Sequence, residues 1–253
     1  MQTLESSVAP GDIPAQIEFA FAALANERKA ETTLKLYNSG SFFDPRAIPK
    51  ADDPVIAKLV TPYRRVIVES HPRFLGERCL RFRDHLAQPL EVAIGLETVH
   101  PQALEALNKE MTLDDFAQAA QWLAKSRIAL RCFVLVGVPY LNLEASVEWA
   151  VRSVAAAFDR GATAVSLIPL RSGNGAIDAL RATGDAPHIT LSELEAAHEQ
   201  ALALRRGRVF ADTWDLERFS PCPACREARR QRIERMNLSQ QIEPRVACAA
   251  CAS

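Results

Sequence analysis

Four cysteines near the end of the chain, Cys222, Cys225, Cys248 and Cys251, form two Cys-x-x-Cys pairs separated by 22 residues. Two such knuckles can place four thiolates tetrahedrally about one ion, the ligand set of a structural zinc site. An iron–sulfur cluster uses the same ligands, so zinc is the expected metal and iron–sulfur the alternative. Spacing this regular argues against four free thiols, which oxidise when exposed. The remaining cysteines, Cys79 and Cys132, fall in an expected helix and an expected buried strand and read as small core residues. A second set of candidates consists of acids directly behind apolar runs: Glu69 after Val66-Ile67-Val68, and Glu97 after Val92-Ala93-Ile94-Gly95-Leu96. A third is the loop Asn38-Ser39-Gly40-Ser41 behind Thr33-Leu34-Lys35-Leu36-Tyr37, where a glycine lets backbone amides approach a ligand.

The elements that must position these groups follow from periodicity. Val92 to Leu96 and Cys132 to Val138 are apolar runs too continuous for half-exposed strands, and between them Leu104, Leu107, Phe116, Ala119, Ala120 and Leu123 recur at helical steps. Glu91 to Tyr140 therefore reads as a βαβ unit, with Gly95-Leu96-Glu97 and Gly137-Val138-Pro139 ending strands that point the same way. Helices are expected from Asp12, over Asp53 to Val60, over Glu77 to Leu86, over Leu143 to Phe158 with Gly161 just past its end, and over Thr190 to Arg206 with Ser192 and Glu195 in capping-box spacing. Strands are expected at Thr33–Tyr37, Arg65–Ser70, Val92–Leu96, Cys132–Val138 and Thr163–Leu170, the last running into the polar loop Arg171-Ser172-Gly173-Asn174-Gly175. Five strands, each followed by a helix, define an α/β fold with a parallel sheet, open or part of a barrel. Ligands in such folds gather at the carboxyl ends of the strands.

With 253 residues, 48% of them hydrophobic, the chain suffices for one large domain and a small appendage. We expect a leader over 1–11, a βα domain over 12–210 and a cysteine-rich tail over 211–253. No apolar run is long enough to cross a membrane, and the N-terminal residues carry no basic-then-apolar signal pattern, so a cytoplasmic protein without a membrane partner is expected. Between the knuckles, Arg226 to Asn237 reads as a helix with five arginines, a candidate surface for transfer-RNA phosphates.

Four segments together resemble the radical S-adenosylmethionine superfamily: Tyr37-Asn38-Ser39-Gly40-Ser41-Phe42-Phe43-Asp44-Pro45, Val66-Ile67-Val68-Glu69-Ser70-His71-Pro72, Ile94-Gly95-Leu96-Glu97-Thr98, and Asn108-Lys109 followed by Thr112, Asp115 and Phe116. The chain is most similar to the branch that includes the archaeosine-synthesis radical enzyme of transfer RNA, related to the elongator-type and methylthiotransferase enzymes. The resemblance implies a partial (β/α)6 TIM-like barrel. It implies S-adenosylmethionine as cofactor, with Ser39, Gly40 and Ser41 meeting its amino group and Glu69 near its ribose or the substrate. Gly95, Glu97 and Arg131 would complete the pocket wall, and Ser166 and Ile168 would border the adenine. It also implies a [4Fe–4S] cluster and a 5′-deoxyadenosyl radical acting on a small-molecule or nucleobase substrate.

The family holds that cluster through a Cys-x-x-x-Cys-x-x-Cys loop between the first strand and the first helix. No cysteine precedes Cys79 here, so the cluster loop and first strand are absent from these residues. The expectation is an N-terminally shortened radical enzyme, since Asp12 to Gly40 keeps the family pattern up to the break. The alternative is a non-catalytic barrel remnant whose zinc module grips RNA or a protein partner.

Overall fold

The computed structural model describes residues 8–23, 29–38, 40–173 and 175–251. Most of the expected leader, Ser39 and Asn174 therefore lie outside the described residues. Among the described residues the strands are β1 (Thr33–Leu36), β2 (Arg65–Glu69), β3 (Leu90–Glu97), β4 (Ala129–Val136), β5 (Ala164–Pro169) and β6 (Arg208–Ala211). The helices are α1 (Asp12–Ala23), α2 (Asp53–Val60), α3 (Glu77–His85), α4 (Pro101–Ala106), α5 (Leu113–Lys125), α6 (Ser146–Asp159), α7 (Ala176–Ala182), α8 (Leu191–Ala203) and α9 (Pro223–Ser239). The strands follow sequence order in the sheet, β1-β2-β3-β4-β5-β6, and the pairs β1–β2, β2–β3 and β5–β6 run parallel. The five expected strands are all present. The sixth, β6, was not expected: four residues beginning with a charge carry too little periodicity to register.

The chain packs as two units, residues 1–94 with 115–131, and 95–114 with 132–253. In the first, Val66, Ile67, Val68, Val92, Ala93 and Ile94 are fully buried, as are Ile56 of α2 and Cys79 and Phe82 of α3. The loop after β1 is strapped down by its own aromatics, Phe42 lying 4.8 Å and Phe43 6.1 Å from the Phe82 ring. Arg78 pins it further, donating to Phe43 O at 3.2 Å while its guanidinium forks onto buried Asp53 at 2.9 and 2.7 Å.

In the second unit the core draws on Ala164, Val165 and Leu167 of β5, Val154 of α6, Leu191 and Leu194 of α8, and Ile233 and Met236 of α9. Helix α6 starts at Ser146, later than Leu143, because Asn142 Oδ1 accepts the Ala145 N–H and shapes a separate turn first. It ends as expected, with Gly161 in the left-handed region at φ 90°. Helix α8 is capped by Thr190 and Glu193, not by Ser192 and Glu195. Glu195 is buried instead, accepting from Arg229 Nε at 2.9 Å and Arg232 at 3.1 Å, and Arg232 also reaches Glu199 at 2.7 Å. The expected tail is therefore continuous with this unit.

Helix α9 also covers β6. The Asn237 amide accepts from Ala211 N and donates to Ala211 O, both at 2.8 Å, and the Gln240 amide does the same to Val209 at 2.7 and 2.9 Å. Two side-chain amides thus stand where the peptide groups of a seventh strand would, satisfying β6 backbone groups that an edge would leave open.

His198, on α8, is fully buried, with Nε2 3.4 Å from Val209 O and no partner at Nδ1. Burial pushes its pKa down from 6.5 to about 4, and the Arg232 charge adds to the effect while the Val209 carbonyl and Glu199 oppose it. A histidine neutral in the fold binds fewer protons than in the unfolded chain, so its contribution is full above pH 6.5 and is lost as pH falls toward 4. We expect His198→Leu to flatten the acid limb of a stability-against-pH profile by on the order of 3 kcal/mol between those limits. Parallel profiles for the two chains in urea titrations would refute this.

Candidate active site and metal centre

In the first unit, residues behind the carboxyl ends of β1 and β2 are tied together. Phe42 N donates to Glu69 O at 2.8 Å and His71 N to Ser41 Oγ at 2.9 Å, which brings Gly40 and Ser41 alongside Glu69. Ser41 is buried and Glu69 half-buried, so the loop offers its backbone while the acid keeps some solvent contact. Arg131 was expected on the pocket wall. It is 4% exposed, and its Nε donates to Glu91 Oε1 at 2.6 Å, while Arg65 holds the other oxygen of Glu91 at 3.0 Å. Tyr37 lies within electrostatic range of Arg131, Glu91 and Glu69. Glu91 is an acid inside an otherwise apolar run, the signal that such a buried ion pair leaves in a sequence.

In the second unit, the end of β3 is a strained turn. Glu97 has φ 62°, and Thr98 N closes a three-residue hydrogen bond to Leu96 O at 2.8 Å. Tight turns with a positive φ at a non-glycine centre are uncommon and cost about 1–3 kcal/mol. The turn folds the Glu97 carboxylate back over Gly95: a Cβ on Gly95 would sit 2.4 Å from Glu97 Oε1 and 3.2 Å from Lys109 Nζ. Lys109 meets the same oxygen at 2.6 Å, presented by a loop in which Asn108 and Glu110 are also left-handed, at φ 49° and 50°. A side chain at 95 would therefore displace the Glu97 carboxylate from its present place beside Lys109. Ser166 and Ile168 of β5 are buried and half-buried, Ser166 lying opposite Phe210 of β6.

The four tail cysteines converge as expected. Their sulfurs lie within 4.8 Å of one another, with Cys222 to Cys248 at 3.9 Å and Cys225 to Cys251 at 3.7 Å. Cys222 occupies the position just before α9 and Cys225 sits in its first turn, where the helix dipole favours thiolate. Burial and hydrogen bonding to the other three sulfurs push the Cys225 thiol up to about 12, so a cation is what would make this set anionic. With metal–sulfur bonds of about 2.3 Å, a tetrahedral ion spaces its sulfurs about 3.8 Å apart, which the Cys222–Cys248 and Cys225–Cys251 pairs match. The [4Fe–4S] cluster implied for the strand ends is not matched. Cys79 is fully buried in α3 with its thiol pushed up to about 12 by that burial, and Cys132 is fully buried in β4.

The arginine helix is more inward than expected. Arg229 and Arg232 are buried in the Glu195 network, Arg230 pairs with Glu227 and Glu234, and Arg235 with Glu243.

No family model matches the chain. It is 29% identical over 151 residues to archaeosine synthase subunit beta of Methanosarcina acetivorans, covering 56% of this chain and 42% of that protein. It is 22% identical over 223 residues to an uncharacterised protein of Methanocaldococcus jannaschii, covering 83% and 61%. The chain thus spans between two fifths and three fifths of the lengths of these relatives. Among solved structures, archaeal Elp3 of Methanocaldococcus infernus superimposes with TM-score 0.61 at 16% identity, over 97% of this chain and 64% of that one. HMG-CoA lyase of Brucella melitensis gives 0.52 at 17% identity, over 91% and 72%. These likenesses define the fold class, the partial (β/α) barrel of parallel strands expected from the sequence.

The metal set yields a direct expectation. Cys248→Ser, or chelation of the loaded chain, should lower the melting temperature by several degrees and loosen α9, since metal binding to one state stabilises it. Unchanged melting and unchanged α9 amide exchange after metal removal would show that the four cysteines hold nothing structural.

Proposed function

We propose that the chain forms the cofactor- and substrate-binding part of a radical S-adenosylmethionine enzyme acting on a nucleobase carried by RNA. We further propose that thiolates outside these 253 residues supply the cluster ligands. The observation that carries this reading is the strained Glu97 turn with its Gly95 and Lys109 partners. A non-glycine residue held at positive φ costs free energy, and such strain clusters at binding sites and active sites. In the first unit the loop with Gly40 and Ser41 would take the cofactor's amino group, with Glu69 beside it; in the second, Glu97 would take hydroxyls, and Ser166 and Ile168 would offer a surface to an adenine. Among solved relatives of the fold, SuiB of Streptococcus suis has been seen bound to S-adenosylmethionine. The match to archaeosine synthase subunit beta supports a base in transfer RNA as the substrate class.

At the tail we assign a single zinc ion. A cubane binds each thiolate to a different iron and so needs the sulfurs further apart than a shared ion does, whereas the observed pairs stand at 3.9 and 3.7 Å. Its role is to fix α9 against β6.

A second reading has one observation in its favour, the absence of cluster ligands at the strand ends among the described residues: a barrel without radical chemistry that binds RNA or a protein. The two separate in one experiment. A chain carrying the coding sequence upstream of Met1 is purified anaerobically, reconstituted with iron and sulfide, and supplied with reductant and S-adenosylmethionine. Four added irons and release of 5′-deoxyadenosine are expected, with the release lost in Gly95→Ala. An upstream sequence without cysteines, or a cluster-free chain that releases nothing, would establish the second reading.

A further inference from the structure

The loops behind β5 and β6 carry a feature that the cofactor assignments leave unused. Trp214 is 70% exposed, although a ring of that size is normally covered. It is not loosely held. Arg171 places its guanidinium 5.2 Å from the Trp214 ring centre and 5.6 Å from that of buried Phe219. The same guanidinium donates to Trp214 O at 2.5 Å and pairs with Asp212 at 2.9 Å, while Trp214 N donates to Asp212 Oδ1 at 3.2 Å. One side of the ring is therefore backed by a fixed cation and the remainder faces solvent.

We propose that Trp214, backed by Arg171, is a stacking platform for an unpaired nucleobase of an RNA. A flat, rigid ring with one open face is matched by another flat ring, and every base presents one. The guanidinium contact is the cation–π arrangement that accompanies such platforms. Arg218, 57% exposed and paired with Asp215, stands in the same loop to meet a backbone phosphate. Asp212 and Asp215 are each engaged by an arginine, while Glu217 of the same loop is exposed. A protein partner would favour a continuous apolar patch, but the residues flanking Trp214 are Asp212, Thr213 and Asp215, and Leu216 is buried. The position suits a substrate: the loop follows the carboxyl end of β6, and exposed Tyr140 follows that of β4. This deepens the RNA reading above and rests on it for the identity of the base. The stacking contact itself requires neither cluster nor cofactor.

The test uses the full chain, zinc-loaded, and a labelled single-stranded RNA dodecamer of mixed sequence. Binding should quench the tryptophan emission. Trp214→Phe, which keeps a ring, should hold affinity within a few-fold and lose most of the quench. Trp214→Leu, at an exposed position, should melt like the parent yet bind about tenfold more weakly or worse. Equal RNA affinity in Trp214→Leu, or no quench in the parent, would overturn the proposal and leave the ring to a protein partner. Intact stacking in a chain that never releases 5′-deoxyadenosine would fail the catalytic reading alone, and release of 5′-deoxyadenosine without stacking would fail this one alone.

Discussion

A carboxylate with no access to water constrains the first half of the sheet. Glu91 is 0% exposed and lies between Arg131 of β4 and Arg65 of β2. Removing one partner of such a buried pair costs about 3–5 kcal/mol, because the other charge is left uncompensated. The three residues sit on three successive strands and alternate with the apolar ones, Val66 and Val68, Leu90 and Val92, Leu130 and Cys132. Period-two alternation puts charges on one side of the sheet and hydrocarbon on the other. The charged side must satisfy itself internally, and it therefore has polar groups to offer a ligand where the strands end.

The strand ends use that property differently in the two units. Behind β1 and β2, backbone is made available: Phe42, Phe43 and Arg78 fasten a small-residue loop beside Glu69. Behind β3, a side chain is bent back by a strained turn and met by Lys109. Behind β5 and β6, a guanidinium fixes an exposed ring. The tail helix supports the last of these. It starts at the cysteine cluster, pairs Arg229 and Arg232 with Glu195, and ends with Asn237 and Gln240 completing the hydrogen bonding of β6.

Much of this was legible from residue types alone. The apolar runs located the parallel strands, and the knuckle spacing located four sulfurs that do converge. The four motif segments anticipated the likeness to archaeosine synthase subunit beta and the Gly95-Leu96-Glu97 strand end. What stayed hidden depends on contacts distant in sequence. The Arg131–Glu91 ion pair stayed hidden because the two residues lie 40 positions apart. The burial of two α9 arginines by Glu195 stayed hidden too, because nothing local to the helix reveals that partner. Strand β6 is held by helix side chains as well as by β5, and side-chain amides from another element leave no mark on a strand's own pattern.

The most direct measurement is X-ray absorption at the zinc and iron edges of the anaerobically purified 253-residue chain. The account predicts one zinc with four sulfurs at about 2.3 Å and no iron–iron scattering. Iron–iron scattering from a cluster on the tail cysteines would contradict it, removing the structural ion from α9 and placing redox chemistry where this account has only a clamp.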